Sequence, residues 1–277
     1  MQLYRKFKAT LQPLLTQLFS SIGASGQLPR GFHDGIISVL HKKGSRADPA
    51  NYRPITLLNT DYRLLAKVLA HRLGAVLPSI IGKEQTAFVR GRSIGENCHL
   101  LQLLPHLLAK ERRWGLVVFC DFRKAYDTVD RGFLLAVLRA LGLGADFISW
   151  AQLLLTNTRA AALVNGHLSK PACSAARVRQ GCQLAPLLYL CPGQALLRVL
   201  QHCGVGTSAA CRRLTAMQYA DDCKALLPGG SNSQISSRAA SFVAAVRTFR
   251  AASGKQLAEE ETKVLLIGQC QSSCQTA

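Results

Sequence analysis

The spacing of apolar residues along the chain predicts three long helices. Over residues 62–77 the apolar positions recur every three or four residues, with basic residues on the opposite side, as in a helix that buries one face. The same spacing predicts a helix over residues 94–108, which Pro105 can kink or shorten. A third helix is predicted around residues 242–249.

Two further helices are predicted, one from the residues at its ends and one from the composition of the first residues of the chain. Asp130 is placed to cap a helix over residues 131–141, and Gly142 or Gly144 would end it. Residues 1–19 carry basic residues before apolar ones, as a signal peptide does, but polar residues and a proline interrupt the apolar part. We therefore expect an amphipathic helix at the start of the chain.

Short runs of β-branched and aromatic residues predict strands between these helices. Residues 116–122 form one such run, and residues 160–164 are followed by Asn165-Gly166, a pair typical of a tight hairpin turn. The Gly- and Ser-rich residues 228–237 are predicted to form a loop.

The composition predicts a folded protein with a polyanionic partner. The chain has 277 residues, 48% of them hydrophobic, which is enough for one large domain or two modest ones with a core. It carries 34 Lys and Arg against 15 Asp and Glu, a formal charge of +19, which favours nucleic acid or an anionic membrane surface. No apolar run approaches the roughly 18 residues that span a bilayer, so we expect an intracellular protein without a membrane segment.

The ten cysteines are spread through apolar segments of a chain far larger than a disulfide-stapled domain. We expect most of them to be buried thiols. Cys270 and Cys274 have no second Cys or His pair nearby, which argues against a zinc site at that end.

Acidic residues are few, and five of the nine aspartates fall in two short stretches. Asp121, Asp127 and Asp130 form the first, and Asp221 and Asp222 form the second. Apolar runs on both sides of the second pair predict a hairpin with its carboxylates at the tip. Because like charges repel, such clustering favours a site at which a divalent metal ion lies between the carboxylates.

Carboxylates at the ends of separate strands are suited to nucleotidyl transfer. That reaction develops negative charge on the attacking and the leaving oxygen, and two metal ions roughly 3.5–4 Å apart stabilise both. The alternative is structural: Asp121 caps a following helix, and Asp221 and Asp222 form an ordinary exposed turn. For either stretch taken alone the structural alternative is favoured.

Three segments, in chain order, resemble successive motifs of reverse transcriptases: FCDFRKAYDTVD from Phe119, VRQGCQLAPLLY from Val178 and MQYADD from Met217. The resemblance extends to about Leu265 and includes further blocks, which are LFSSIGASGQLP, IISVLHKKG, NYRPITLLN, QTAFVRGRSI and NGHLSKPACSAARVRQG. The NYRPITLLN and QTAF blocks are similar to those of non-LTR (LINE-type) retrotransposons rather than retroviruses.

The resemblance implies an α+β right-hand polymerase fold, with an antiparallel palm sheet backed by helices and with helix-rich fingers. It implies that residues 1–115 are mainly fingers and residues 116–268 mainly palm, with an interleaved fingers segment between the Asp121 and Gln180 motifs. Residues 269–277 are then a short tail and the thumb is absent. The chain is expected to be a truncated copy of a retrotransposon polymerase.

The same resemblance assigns the metal site. Asp121, Asp221 and Asp222 match the catalytic, metal-binding triad, and the backbone carbonyl of Phe122 is expected to complete the shell of one ion. The expected cofactor is a pair of Mg²⁺ ions, which Mn²⁺ can replace.

The resemblance also assigns residues to the nucleotide and the nucleic acid. Tyr126 matches the aromatic residue that packs under the incoming sugar, where its ring disfavours a 2′-hydroxyl; a core tyrosine is the alternative. The other expected nucleotide-binding residues are Lys42, Lys43, Arg53, Gln180 and Gly181. For the two lysines, a solvated surface role is the alternative. The expected primer and template contacts are Tyr219, Arg90, Arg92 and Lys124.

The implied activity is RNA-directed DNA polymerisation in retrotransposition. Its expected partners are an RNA template, a DNA primer and dNTPs; no membrane is expected, and the sequence predicts no particular protein partner. Action in the nucleus is expected of the family because integration occurs on chromosomal DNA.

One motif departs from the family pattern. Where the family has Gly-x-x-Leu-Asn-x-x-Lys, this chain reads GKQLAEEE, so Ala258 replaces the Asn and Glu261 replaces the Lys. In the family that lysine is proposed to protonate the departing pyrophosphate. Lys263 is a doubtful substitute as general acid because it lies two residues further on. The alternative function is therefore a catalytically decayed remnant that binds nucleic acid; a metal-dependent nuclease is disfavoured because Tyr126 and the Gln-Gly pair have no evident role in one.

Overall fold

The computed structural model describes residues 2–123, 125–173, 178–209 and 212–268. Its α-helices are α1 (Gln2–Lys6), α2 (Lys8–Ser25), α3 (Thr60–Ile80), α4 (Ile94–Lys110), α5 (Ala125–Thr128), α6 (Arg131–Ala140), α7 (Ala145–Leu155), α8 (Ala185–His202) and α9 (Asn232–Ser253). A single 3-10 turn is assigned at Pro49–Asn51 within these ranges. The strands are β1 (Gly35–His41), β2 (Tyr52–Leu58), β3 (Trp114–Cys120), β4 (Arg159–Val164), β5 (His167–Leu168), β6 (Ala172–Cys173), β7 (Thr207–Ala209), β8 (Arg212–Leu214), β9 (Ala216–Tyr219), β10 (Asp222–Gly229) and β11 (Lys263–Gly268).

The chain divides into two compact units. Unit 1 contains Met1–Leu73 and Leu138–Ala185, and unit 2 contains Gly74–Val137 and Pro186–Ala277. The boundaries fall within α3, within α6 and at the start of α8, so each of these helices contributes residues to both units. The division into fingers and palm at residue 115 stays a prediction.

Unit 1 is built on a mixed sheet in the order β2-β1-β4-β5, with β6 also paired to β4. Strands β1 and β4 are parallel, and the other pairs are antiparallel. The hairpin turn predicted at Asn165-Gly166 is confirmed, since both residues have the positive φ that a tight turn requires, 50° and 81°. Tyr62 of α3 is 1% exposed and its ring lies 6.1 Å from that of Phe32, so it belongs to the core of this unit.

Unit 2 is built on an antiparallel sheet in the order β11-β3-β10-β9. Leu104 and Leu108 of α4 pack on Val117 in a buried cluster, and α9 packs against β10. The neighbouring Val118 is also buried, and because successive side chains of a strand point to opposite faces, both faces of β3 are covered. This is the helix-backed antiparallel sheet that the sequence predicts.

Side chains fix the ends of two helices in unit 2. Asp130 caps α6, because its Oδ1 accepts the N–H of Phe133 (2.9 Å), as predicted. Helix α4 begins with a capping box in which the carboxylate of Glu96 accepts the N–H of Ser93 (2.9 Å). Pro105 lies inside α4 and does not end it.

Two sequence predictions need correction. Residues 228–237 are not a loop, because β10 runs through Gly229 and Ser231 caps α9 by accepting the N–H of Gln234 (3.4 Å). The N-terminal segment is helical as expected, yet Ile22 is the one buried residue of α2, so this helix buries very little of an apolar face.

The cysteines described by the structure are free thiols. Cys120, Cys182, Cys191 and Cys223 are buried, while others are exposed or partly exposed, among them Cys98. Cys270 and Cys274 lie outside the described residues, as does the whole predicted tail 269–277. Across the described ranges, none of the helices combines the length and the apolar character needed to cross a membrane.

Candidate active site

Two acidic residues of unit 2 lie at the ends of neighbouring strands. Cys120, the last residue of β3, pairs with Cys223 of β10. Asp121 and Asp222 are the next residues outward on these two strands, so their backbones lie at the same edge of the sheet. We call this the carboxylate edge.

Asp221 lies at the same edge, in the turn between β9 and β10. Asp222 pairs with Tyr219, which leaves Ala220 and Asp221 as a two-residue turn. The hairpin predicted from the flanking apolar runs is therefore confirmed. All three aspartates are exposed, and their catalytic and metal-binding roles stay predictions.

A third segment fixes the backbone of Asp121 from its other side. The N–H of Ala258 donates to the backbone carbonyl of Asp121 (2.7 Å). The next residue, Phe122, forms an antiparallel bridge with Leu257. The backbone of Asp121 is thus fixed between β10 and the segment that follows α9. Ala258, which replaces the family's Asn, is buried in this segment.

The carboxylates at this edge interact electrostatically. The pKa of Asp222 is raised, first by partial removal from water, then by the negative charge of Asp221, and less by that of Asp121. The positive charge of Lys224 acts in the opposite direction. A bound cation would counteract the repulsion from the neighbouring carboxylates and so lower this pKa again.

The oxygen donors at the carboxylate edge fit a hard divalent ion such as Mg²⁺. In the part of the chain that the structure describes, no group of three or more His, Cys, Asp or Glu side chains is arranged so that it could hold a metal ion. The three aspartates share an edge of the sheet but do not form such a group. Metal binding by Asp121, Phe122, Asp221 and Asp222 therefore stays a prediction.

Tyr126, on α5, stacks on Tyr189 of α8. The ring centroids are 4.4 Å apart and the planes are inclined by 29°. Tyr126 is half-buried, whereas Tyr189 is 1% exposed. Burial raises the pKa of Tyr126 to about 12, with a further contribution from the negative charge of Asp221. A half-buried ring of this kind is compatible with the predicted place under the sugar and with the core alternative.

A buried lysine, which the sequence analysis did not single out, contacts Tyr189. Nζ of Lys255 donates to the hydroxyl of Tyr189 and lies 4.1 Å from the centroid of that ring and 4.7 Å from that of Phe122. A cation over aromatic faces is stabilised by them. Burial nevertheless lowers the pKa of Lys255 to about 7, against the opposing effect of Asp221. The signal available in the sequence was its position directly after Gly254, which caps α9.

We expect Lys255 to make the protein more stable as the pH rises from about 7 to about 9. Its folded-state pKa of about 7 lies below the 10.5 of an ordinary lysine, so in this window the unfolded chain binds a proton that the folded chain has released. Below about pH 7 the lysine is protonated in both states and its contribution is constant. The measurement is the free energy of urea unfolding in EDTA across this window.

In Lys255→Met the rise of stability with pH should be smaller than in the parent. The exposed Lys263 provides the control, because Lys263→Met should keep the parental slope. The same slope in Lys255→Met and the parent would contradict the prediction.

In unit 1, the predicted triphosphate-binding residues lie on the β1–β2 hairpin. Lys42 and Lys43 are exposed in the connection after β1, and Arg53 is exposed on β2, paired with Leu40. The N–H of Lys42 donates to the carbonyl of Asn51 (2.8 Å), which ties the two ends of the connection together. Three cations thus share one short hairpin, and their binding role stays a prediction.

The predicted Gln-Gly pair lies against the same hairpin. The N–H of Thr56, on β2, donates to the carbonyl of Gln180 (2.8 Å). Gly181 has φ 115°, and a Cβ on it would lie 2.3 Å from the carbonyl oxygen of Thr56. The preceding Arg179 is 2% exposed and donates to the carbonyl of Arg159 (3.1 Å), which anchors the segment to β4. Gly181 is therefore required here for close backbone approach.

Arg92 has a structural role that the sequence analysis missed. Its guanidinium donates to backbone carbonyls at the end of α3 and just after it, which are those of Pro78 (3.2 Å), Ile81 (2.9 Å), Gly82 (2.5 Å) and Gln85 (2.8 Å). Because the last carbonyls of a helix lack intrahelical partners, the guanidinium caps α3. Nucleic-acid contacts of Arg92, of the exposed Arg90 and of Tyr219 stay predictions, and Lys124 lies outside the described residues.

The motif that departs from the family pattern, GKQLAEEE at residues 254–261, follows α9. Glu261 is exposed in a turn, where its N–H donates to the carbonyl of Ala258 (3.1 Å). Lys263 is the first residue of β11 and pairs with Phe119 of β3, the strand that leads to Asp121. The role of Lys263 as a general acid stays a prediction.

The fold follows from comparison with solved structures. Apo telomerase from Candida Tropicalis, truncated from the C-terminal domain, matches with a TM-score of 0.59 and 12% identity, over 94% of this chain and 56% of that one. Telomerase from the same organism with the TWJ fragment of telomeric RNA also matches with a TM-score of 0.59, at 11% identity, over 93% and 45%. Identity this low shows the fold alone. The predicted α+β right-hand polymerase fold is thereby confirmed.

The sequence matches a family model described as reverse transcriptase (RNA-dependent DNA polymerase) over residues 40–274. The chain therefore belongs to the reverse transcriptase family. Reverse transcriptases generally use divalent metal ions.

Its relatives include proteins of non-LTR retrotransposons. The transposon TX1 uncharacterized 149 kDa protein of Xenopus laevis is 31% identical over 80% of this chain and 17% of its own length. The retrovirus-related Pol polyprotein from the R2 element of Nasonia vitripennis is 27% identical over 77% and 20%. The probable RNA-directed DNA polymerase from the X-element of Drosophila melanogaster is 31% identical over 63% and 20%. The chain spans about a fifth of the length of these curated relatives, and the predicted LINE-type membership is confirmed.

Proposed function

We propose that the chain is an RNA-directed DNA polymerase that adds deoxynucleotides to a primer 3′-hydroxyl during retrotransposition. The observation that carries the proposal is the carboxylate edge, where Asp121, Asp221 and Asp222 lie at the same edge of the antiparallel sheet. The family match and the retrotransposon relatives support an RNA template and a DNA product.

Asp121, Asp221 and Asp222, with the backbone carbonyl of Phe122, would hold two Mg²⁺ ions, with Mn²⁺ as a substitute. The support is chemical: the donors are all oxygens, and the pKa of Asp222 is raised first by partial burial and then by repulsion from Asp221, which cations would counteract. Bound there, divalent ions would stabilise the negative charge on the attacking and the leaving oxygens.

In the proposed reaction the primer 3′-oxygen forms a bond to the α-phosphorus of the dNTP, and the bond from that phosphorus to pyrophosphate breaks. The ring of Tyr126 would lie under the sugar and exclude a 2′-hydroxyl. Lys42, Lys43 and Arg53 would bind the triphosphate, since Arg suits bidentate phosphate contact. Gln180 and Gly181 would shape the nucleotide pocket. The charge of +19 would bind the backbone of the RNA–DNA hybrid, so affinity should fall steeply with salt.

Glu261 favours a second candidate, a remnant that binds nucleic acid without catalysis. The family has a lysine at this position, and a carboxylate lacks the proton that this lysine is proposed to give to pyrophosphate. General acid catalysis contributes on the order of 10²–10⁴ in rate.

The test is primer extension on poly(rA)/oligo(dT) with Mg²⁺ or Mn²⁺, comparing the parent chain with Glu261→Lys. We expect the parent to extend the primer and Glu261→Lys to extend it roughly 10²-fold faster. Extension by Glu261→Lys alone would identify a copy disabled at this position. Salt-sensitive binding of the hybrid without extension by either protein would favour the remnant.

A further inference from the structure

The backbone of Ala220, in the turn that carries Asp221, is held by one buried side chain. Oε1 of Gln85 accepts the N–H of Ala220 (3.0 Å), and Nε2 of Gln85 donates to the carbonyl of Ala220 (3.2 Å). Oε1 also accepts the N–H of Ala87 (3.0 Å), which fixes the orientation of the amide. A single amide therefore binds both polar backbone groups of Ala220.

The turn needs such support because Ala220 has φ 54°. A side chain larger than that of glycine crowds the backbone in this left-handed region, so the conformation persists only when its surroundings determine it. The residues that follow are Asp221 and Asp222. The directions of both carboxylates therefore depend on the peptide geometry at Ala220.

Gln85 is itself fixed along β9. It is fully buried and forms a parallel bridge with Gln218. The N–H of Thr86 donates to the carbonyl of Gln218 (3.0 Å), and the N–H of Gln218 donates to the carbonyl of Glu84 (2.7 Å). Residues 84–86 thus run beside β9 like a short extra strand, from which the amide of Gln85 reaches the turn.

We propose that Gln85 is a positioning residue of the polymerase site, because it sets the geometry of the Ala220 turn and, through it, the carboxylates of Asp221 and Asp222. The inference rests on the proposed function and extends it to a residue that touches no reacting atom. Without the amide of Gln85, the turn samples other conformations. The carboxylates then bind divalent ions less tightly and support a slower reaction, while the affinity for the nucleotide is retained.

The test compares Gln85→Met with Asn97→Leu in the full chain. Methionine matches glutamine in length but has neither an N–H donor nor an oxygen acceptor. Asn97 is a matched control: it is also a buried amide beside β9, and its hydrogen bonds go to Gln218 (2.8 Å) and Thr86 (2.9 Å) rather than to the turn. Gln85→Asn is a second variant, which keeps a polar amide but is one methylene too short to reach Ala220.

Three quantities are measured in two experiments. The first gives the affinity for Mn²⁺ without nucleotide, from electron paramagnetic resonance of the free ion. The second gives kcat and KM for dTTP on poly(rA)/oligo(dT). Gln85→Met and Gln85→Asn should each lower Mn²⁺ affinity and kcat by roughly 10–100-fold, the range for residues that orient metal ligands. The KM for dTTP should stay within about threefold, and Asn97→Leu should keep all three quantities within about threefold.

Equal losses in the Gln85 variants and Asn97→Leu would overturn the inference, because any missing buried amide would then suffice. A higher KM with unchanged kcat would also overturn it, since that pattern indicates lost nucleotide binding. Asp221→Asn separates the inference from the proposed function. If Asp221→Asn binds Mn²⁺ and extends the primer like the parent, the carboxylate assignment fails. If Asp221→Asn is inactive while the Gln85 variants match the parent, only the role of Gln85 fails.

Discussion

Asp221→Asn should abolish primer extension and leave the protein folded. The side chain is exposed in the β9–β10 turn, and asparagine has nearly the same shape, so we expect the free energy of unfolding to change by no more than about 0.5 kcal/mol. The substitution removes a negative charge from the edge proposed to bind Mg²⁺. Loss of one preorganised electrostatic contribution costs on the order of 10²–10³ in rate. The measurement is the initial rate of dTTP incorporation on poly(rA)/oligo(dT).

The matched control is Asp146→Asn. Asp146 is an exposed aspartate in the first turn of α7, so its replacement weakens only a favourable interaction with the helix N-terminus, about 0.3–1 kcal/mol. This variant should extend the primer at the parental rate. Parental rates in both variants would show that the triad has been assigned wrongly.

Gly181→Ala should destabilise the protein strongly. Its φ of 115° is unfavourable for any residue with a side chain, at about 1–3 kcal/mol. The new Cβ would also lie 2.3 Å from the carbonyl oxygen of Thr56, so β2 or the Gln180-Gly181 segment has to move. We expect a total loss of roughly 3–5 kcal/mol in the free energy of unfolding, measured by urea titration.

Gly166→Ala separates backbone strain from the steric clash. Gly166, in the β4–β5 turn, also has a positive φ, 81°, but a Cβ there would have nothing within 4 Å. Its replacement should therefore cost only about 1–2 kcal/mol, the penalty for a left-handed residue. Equal losses in the two variants would contradict the role of close approach between Gly181 and Thr56.

Local sequence patterns predicted much of the fold. Apolar spacing gave the positions of α3 and α4 because each buries one face, and Asp130 marked the start of α6 because it caps its own helix. Local patterns could not predict which strands pair with each other. For example, β1 pairs in parallel with β4, which is distant in sequence. Residues 228–237 were mispredicted because Gly and Ser are common in loops, whereas here Ser231 caps α9.

For the site, the sequence predicted the acidic hairpin and the assignment to a family, because these depend on short motifs. It did not predict the structural roles of Gln85, Arg92 and Lys255. Each of these side chains is defined by groups it meets after folding: Gln85 by the Ala220 turn, Arg92 by the end of α3, and Lys255 by two aromatic rings. Apart from the position of Lys255 directly after Gly254, the sequence carried no signal of these contacts.

The position of β3 has a consequence for folding kinetics. It is the first strand of the unit 2 sheet to leave the ribosome, yet it lies between β10 and β11, which are made much later. Its backbone N–H and C=O groups therefore cannot all be paired within the sheet until residues 222–268 have been synthesised. Sheets dominated by such non-local pairs fold slowly and expose apolar strands in the meantime. Newly made chains should accordingly depend on chaperones until β11 has been added.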